Sequence, residues 1–268
     1  MAETILDILA DTARERVKKD KESVSFEEMK ALAKAKECIT DKAKGFPVEQ
    51  ALKQEGISFI CEVKKASPSK GLIAEDFPYV EIAKAYEEAG ADCISVLTEP
   101  SKFLGSDAYL EAIVKEVKTP VLRKDFTVDA YQIYQAKALG ASMVLLICTL
   151  LNEEAVGEYI GICDELGLSA LVEAHDEEEI AMAVRAGARI IGVNNRNLKD
   201  FTVDVNNSGR LRKLVPPHVL FVAESGIKSA EDIRALKEAG VNGVLIGETL
   251  MKSSNKKAML DELRKGCL

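Results

Sequence analysis

Cys61-Glu62-Val63-Lys64-Lys65-Ala66-Ser67-Pro68-Ser69-Lys70-Gly71 follows Ile57-Ser58-Phe59-Ile60, and how this stretch is read decides the fold. The apolar lead opens a β-strand, whose alternation sets Glu62 and Lys64 on one face and Cys61 and Val63 on the other. A solvated strand end would also carry charge. An acid and a base side by side, running into a loop rich in Ser, Gly and Lys, nevertheless make poor packing material. Burying such a pair costs on the order of several kcal/mol, so a chain that keeps it has a use for it.

From residue 58 onward, short apolar segments alternate with amphipathic ones. The pattern predicts strands over 58–64, 92–97, 120–123, 142–148, 169–173, 189–194, 218–223 and 243–247. Helices are predicted over 78–89, 108–117, 129–139, 153–166, 177–186, 207–214 and 230–239, with an eighth from 250 to 265. Ala89-Gly90-Ala91, Leu139-Gly140-Ala141, Ala186-Gly187-Ala188 and Ala239-Gly240-Val241 each end a helix and feed an apolar strand. These glycines recur about every fifty residues, the length of two β-α units, and each supplies a left-handed helix stop. Eight units without a linker predict a (β/α)8 TIM barrel, class α/β. An open doubly wound sheet fits less well, because the first β-α loop lacks Gly-x-Gly-x-x-Gly.

The first 55 residues show no strand signal. Ile5, Leu6, Ile8, Leu9 and Val17 give a one-sided helix over 2–19, and Ser25-Phe26-Glu27-Glu28 opens a second, with Met29, Leu32 and Ala33 on its apolar face. A short third helix is expected over 46–52. The expectation is a single barrel domain over 1–268, with residues 1–55 as an N-terminal helical cap packed outside it.

Composition narrows the function. The chain is 47% hydrophobic and 30% charged, with material for one large core. A net charge of −8 argues against a nucleic-acid partner, yet allows a local positive pocket for a small anion. No apolar run nears the roughly 18 residues that span a bilayer, and no signal-peptide core stands at the N-terminus, so no membrane partner and a cytoplasmic location are expected. Six scattered cysteines and only two histidines offer no metal-ligand spacing, so no metal is expected. Cys61, Cys93 and Cys148 fall in apolar strands as small hydrophobes.

In such a barrel the chemistry belongs at the C-terminal strand ends. Those ends read Glu62/Lys64, Thr98/Glu99, Lys124/Asp125, Glu173, Asn194/Arg196, Glu224/Ser225 and Gly247/Glu248. Lys124 is in phase with an inward Leu122. In a partly apolar pocket its proton would be easier to give up, which suits a general acid or a Schiff-base amine. Glu173, in phase with Leu171, could steady a cation or take a proton. Ser225-Gly226 and Gly247-Glu248 resemble a barrel phosphate site, where backbone N–H groups face the anion and Lys64 and Arg196 supply charge. Phe103, Leu122, Phe126, Leu145, Leu198 and Phe201 could form a slot for a planar ring.

The chain resembles the indole-3-glycerol phosphate synthase family. The likeness rests on Glu62-Val-Lys-Lys-Ala-Ser-Pro-Ser-Lys-Gly71, Val96-Leu-Thr-Glu99, Phe103-Leu-Gly-Ser106, Leu122-Arg-Lys-Asp-Phe126, Leu171-Val-Glu-Ala-His175, Ile191-Gly-Val-Asn-Asn-Arg-Asn-Leu198, Val222-Ala-Glu-Ser-Gly226 and Val244-Leu-Ile-Gly-Glu-Thr-Leu-Met251. Pro100-Ser101 and Thr249 depart from the family pattern in loop detail only. The resemblance implies a carboxy-lyase of tryptophan biosynthesis acting on 1-(2-carboxyphenylamino)-1-deoxyribulose 5-phosphate. It also implies no cofactor, and a monomer or weak homo-oligomer.

Under the resemblance Lys124, Lys64, Glu173, Glu62, Asn194 and Ser225 are catalytic. Lys64, Arg196, Ser225, Gly226, Gly247 and Glu248 hold the phosphate. Phe103, Leu122, Phe126, Leu145 and Leu198 line the ring pocket. The rival is a Schiff-base sugar-phosphate aldolase using Lys124, which borohydride trapping would reveal.

Overall fold

Strand alternation sorts each apolar segment into an inward and an outward set, and the two sets build two cores. In a computed structural model, which describes residues 4–36, 46–197 and 201–268, the strands are β1 (Ser58–Val63), β2 (Cys93–Leu97), β3 (Val121–Lys124) and β4 (Met143–Ile147). They continue with β5 (Ser169–Ala174), β6 (Ile190–Asn194), β7 (Leu220–Glu224) and β8 (Gly243–Ile246). All pair in parallel in chain order, and β8 returns to β1 to close the barrel. Ile60, Leu122, Met143, Leu171, Ile190, Val222 and Leu245 fill the interior. Cys61, Val63, Ile94, Val144, Val172, Ile191 and Val244 face outward against the helices.

The leader holds α1 (Ile5–Ser23), α2 (Phe26–Ala35) and α3 (Pro47–Leu52). Between the strands run α4 (Tyr79–Glu88), α5 (Asp107–Glu116), α6 (Ala130–Leu139), α7 (Glu153–Leu166), α8 (Glu177–Arg185), α9 (Asn206–Arg212) and α10 (Ala230–Glu238). The four glycine stops predicted from the repeat all have positive φ, from 79° at Gly240 to 94° at Gly140. The predicted eighth helix is two: α11 (Glu248–Lys252) and α12 (Lys256–Arg264). Asn255 caps α12, while Lys256 Nζ donates to the carbonyls of Leu250, Met251 and Ser253 at the end of α11. Ser253-Ser254-Asn255 competes for backbone hydrogen bonds and breaks the periodic run.

The leader packs outside the barrel wall, but only part of it caps the mouth. α1 is latched to the barrel through Arg16 to Asp125 and Lys21 to Asp129, both at 2.7 Å. Its first turns carry Ile5, Leu6 and Leu9 over the C-terminal mouth. α3 closes the opposite end. Its buried Glu49 accepts from Arg189 at 2.9 Å and from Ser169 at 3.3 Å, just before β6 and at the start of β5. Leu52 occupies the space above Gly243, the first residue of β8. Leu52→Ala should therefore cost about 2–5 kcal/mol of folding stability and leave kcat unchanged. Denaturant titration beside a turnover assay checks both halves.

Candidate active site

The ends of β1, β3, β5, β6 and β7 deliver polar or charged groups to one cavity, of about 540 Å³, and β2 and β4 add apolar wall. Glu62, Lys64, Phe103, Lys124, Phe126, Leu145, Glu173, Asn194, Arg196, Ser225, Gly226, Gly247 and Glu248 all line it. Leu122, also expected in the ring pocket, does not line the cavity. It lies wholly buried in the barrel interior, two residues below Lys124 and so about 6–7 Å deeper. Leu198 falls outside the described residues.

Lys124 is the hub. Its Nζ lies 3.0 Å from Glu173 Oε2 and 2.8 Å from Glu224 Oε2, and Glu62 adds to the negative field around it. Burial alone would ease loss of its proton, which is what the sequence argument assumed. The carboxylates of Glu173, Glu224 and Glu62 outweigh that effect, so the amine is held protonated well above the usual lysine range. The expectation of an easily released proton is thereby corrected.

The two carboxylates on Lys124 diverge. Burial opposes the ionised form of both. Lys124 and His175 hold Glu173 well below the usual range, whereas Glu224, facing Glu173 and Glu62, is pushed up to about 7. Glu224 Oε1 is buried with no hydrogen-bond partner. Glu224, named from the sequence among the strand ends, was given no role in the site. The predicted strand stopped at 223, which put Glu224 in the loop. Its phase with inward Val222 is the argument that found Lys124 and Glu173, and it would have found Glu224 too.

Asn194 is oriented by its own loop. Its side-chain oxygen accepts the Arg196 N–H at 3.0 Å, which turns its amide nitrogen toward Glu173 Oε1 at 3.4 Å. The Arg196 guanidinium donates to the Phe201 carbonyl at 3.1 Å. Ser225 has a φ of 68°, unusual for a residue with a side chain, and Asn195 fixes its carbonyl at 3.1 Å. Thr249 Oγ1 donates to the Ile227 carbonyl at 2.7 Å and ties the loops after β7 and β8 together. The first amides of α11 have no acceptor within their own helix. The Glu248 side chain turns to Lys252 at 2.7 Å and Lys70 at 3.5 Å.

Two glycines make room for charge. A Cβ on Gly247 would clash with the Glu62 carboxylate and sit 2.8 Å from Lys64 Nζ, a pair itself 2.5 Å apart. A Cβ on Gly192 would strike Glu224 Oε1. Gly247→Ala is accordingly expected to raise KM at least tenfold, the scale of one displaced charge-assisted contact at about 1.5–3 kcal/mol. Steady-state kinetics check it.

Several polar strand ends hold loops instead of facing the mouth. Thr98 donates to Asp125 at 2.5 Å, and Arg123 reaches outward to Asp107 at 2.9 Å. Glu99 accepts from the backbone N–H groups of Ser101, Lys102 and Phe103, setting the loop that carries the Phe103 ring. That ring lies 6.1 Å from Phe126 and forms one apolar wall. No group of three or more metal-ligating side chains is found among the described residues.

A closed barrel whose mouth pairs two lysines with carboxylates beside glycine-lined loops defines a class: (β/α)8 barrels with a charged site at the C-terminal ends of the strands. The family model described as indole-3-glycerol phosphate synthase matches residues 6–263, and the chain belongs to that family. The protein of that name from Ruminiclostridium cellulolyticum is 57% identical over 97% of this chain and 98% of its own length. The one from Lachnoclostridium phytofermentans is 54% identical over the same shares. Among solved structures, thiamine phosphate pyrophosphorylase from Pyrococcus furiosus superposes with a TM-score of 0.60 at 17% identity, covering 81% of this chain and 97% of that one. A 3-hexulose-6-phosphate synthase gives 0.65 at 16%, covering 79% and 100%. These two show the shared barrel alone.

Proposed function

We infer that the side chains at this mouth divide among themselves the work of the family's reaction, a ring closure, decarboxylation and dehydration that makes indole-3-glycerol phosphate. The chain is a carbon–carbon lyase of tryptophan biosynthesis. One observation supports the division of labour best: the Lys124 amine stands between Glu173 and Glu224 in the cavity that also holds the Glu62–Lys64 pair.

The substrate is 1-(2-carboxyphenylamino)-1-deoxyribulose 5-phosphate. Its ring carbon bearing the carboxylate attacks the C2′ ketone, and Lys124 gives its proton to the carbonyl oxygen as that oxygen gains charge. Carbon dioxide then leaves and the ring regains aromaticity. The C2′ hydroxyl departs as water with a proton from Lys64, and Glu173 takes the proton from C1′. Glu62 and Asn194 steady the cationic intermediate. Phe103, Phe126 and Leu145 flank the ring. Lys64, Arg196 and Ser225, with the backbone of Gly226, Gly247 and Glu248, hold the phosphate. Those distant contacts orient the reacting end and so serve turnover as well as affinity.

The high affinity of Lys124 for its proton argues against the aldolase alternative, which needs a neutral amine to attack a carbonyl. Appearance of indole fluorescence from the substrate tests the main proposal, and failure of that signal with folded protein sinks it. Borohydride with a sugar phosphate should leave Lys124 unlabelled. A cytoplasmic location and a monomer or weak homo-oligomer belong to the same proposal. The location draws support from the free thiols of Cys61, Cys93, Cys148, Cys163 and Cys267 among the described residues, where no helix is long and apolar enough to cross a membrane.

A further inference from the structure

We infer that His175 is a positioning residue, an imidazolium clamp that decides which of the two carboxylates sharing Lys124 stays ionised. This rests on the proposed use of Glu173 as the base. Glu173 and Glu224 both reach one ammonium through their Oε2 atoms; Glu62 disfavours charge on Glu224, and what keeps charge on Glu173 must come from its remaining contacts.

Their far oxygens differ. Glu224 Oε1 has no partner, whereas Glu173 Oε1 accepts from Asn194 at 3.4 Å and lies at ion-pair distance, 3.3 Å, from His175 Nε2. That nitrogen has no hydrogen-bond partner and so acts on Glu173 through its charge. The other ring nitrogen, Nδ1, lies 3.1 Å from Glu179 Oε2. Glu179 is itself anchored by the His175 backbone N–H at 2.8 Å and by the Thr149 hydroxyl at 2.6 Å. Carboxylates only accept, so an imidazole between two of them gains most with a proton on each nitrogen.

The surroundings agree. Asp176, Asp204 and Arg196 line the same small cavity as His175, and the Cys148 thiol lies by the Glu179 carbonyl. Arg196 and, beyond Glu173, the Lys124 ammonium are cations in these surroundings, but the groups at ion-pair distance from the two ring nitrogens are the carboxylates of Glu173 and Glu179. Burial disfavours the charged ring, but Glu173 and Glu179 overcome it and push His175 up to about 10. The clamp also fixes rotation. A carboxylate torsion is broad and roughly two-fold, so Lys124 and His175 on opposite oxygens hold Glu173 with one edge toward the cavity.

The test uses the whole protein. With only two histidines in the chain, His218→Asn leaves one imidazole, and its 15N shifts report His175 directly. His175 should remain doubly protonated past pH 8, and Glu173→Gln should lower its midpoint. A midpoint near the ordinary value of 6.5 overturns the clamp whatever the activity does.

In kinetics, His175→Gln keeps an N–H for Glu173 but removes the charge. Its kcat should fall by roughly 10–100-fold at acidic and neutral pH and recover as pH rises, with KM changed less than threefold. Glu173 loses a cation, its pKa rises, and more base is needed to keep it ionised. His175→Ala should lose turnover without that recovery. A pH-independent loss in His175→Gln, or no loss, overturns the clamp. Glu173→Gln with near-normal turnover would instead overturn the assignment of the base.

Discussion

Lys124→Ala should lower kcat by about 10² or more, the usual cost of removing a general acid, while the variant still binds a phosphate-bearing substrate. The amine is positioned by two ion pairs and held charged by three carboxylates, so it reaches the substrate with its proton in place. The anion site stands on separate loops after β7 and β8, tied by Thr249 to Ile227, and does not depend on Lys124. Removing the amine leaves Glu173 and Glu224 facing each other, and mutual repulsion then drives a proton onto one of them. Indole fluorescence measures turnover, and titration with product measures binding. Turnover near wild type would remove Lys124 from the mechanism.

Glu173→Gln is expected to cost a comparable factor of about 10²–10⁴ at every pH at which the protein is folded, with product affinity largely kept. Glu173 is held below the usual carboxylate range, so its base form is already complete at neutral pH and no change of pH restores what the amide lacks. Glu224→Gln should behave differently. Glu224 is pushed up to about 7, so below that pH the wild type carries a neutral acid that the amide imitates. The kcat ratio of wild type to Glu224→Gln should stay small near pH 6 and widen above pH 7. A ratio independent of pH would show that Glu224 does not titrate in this range. The same shift carries a stability sign. The folded state binds a proton that the unfolded carboxyl gives up above its own lower pKa, so this group's contribution falls as pH rises toward neutrality.

Much of the site was legible because alternation is a local property. Glu62 with Lys64, Lys124 with Leu122 and Glu173 with Leu171 could each be phased from a few neighbours, and all three pairs point inward. The same rule overreached at Leu122, where the inward face is right but the depth is wrong. It fell short at Glu224, where a strand end drawn one residue early hid the phase. Thr98, Glu99 and Asp125 look equally functional in a string of letters. Their partners at Arg123, Arg16 and the 101–103 amides turn them into scaffolding. The split between α11 and α12 was signalled by Ser253-Ser254-Asn255, but the lysine that caps the first half could be recognised only in three dimensions.

By itself the order of residues determined the barrel, the face on which each strand-end group stands, and the family to which the chain belongs. Hydrophobic period, glycine stops and motif spacing act over a handful of positions, and those cues are written in the chain directly. Only the tertiary structure decided that Lys124 holds its proton tightly, that Glu224 completes the hub, and that the leader closes both ends of the barrel. Each of these depends on charges or packing surfaces brought together from far apart, as with Lys124 and Glu224, 100 residues distant in sequence and 2.8 Å apart in space. A pKa is a sum over such neighbours, and the sum exists only after the ring of strands has closed.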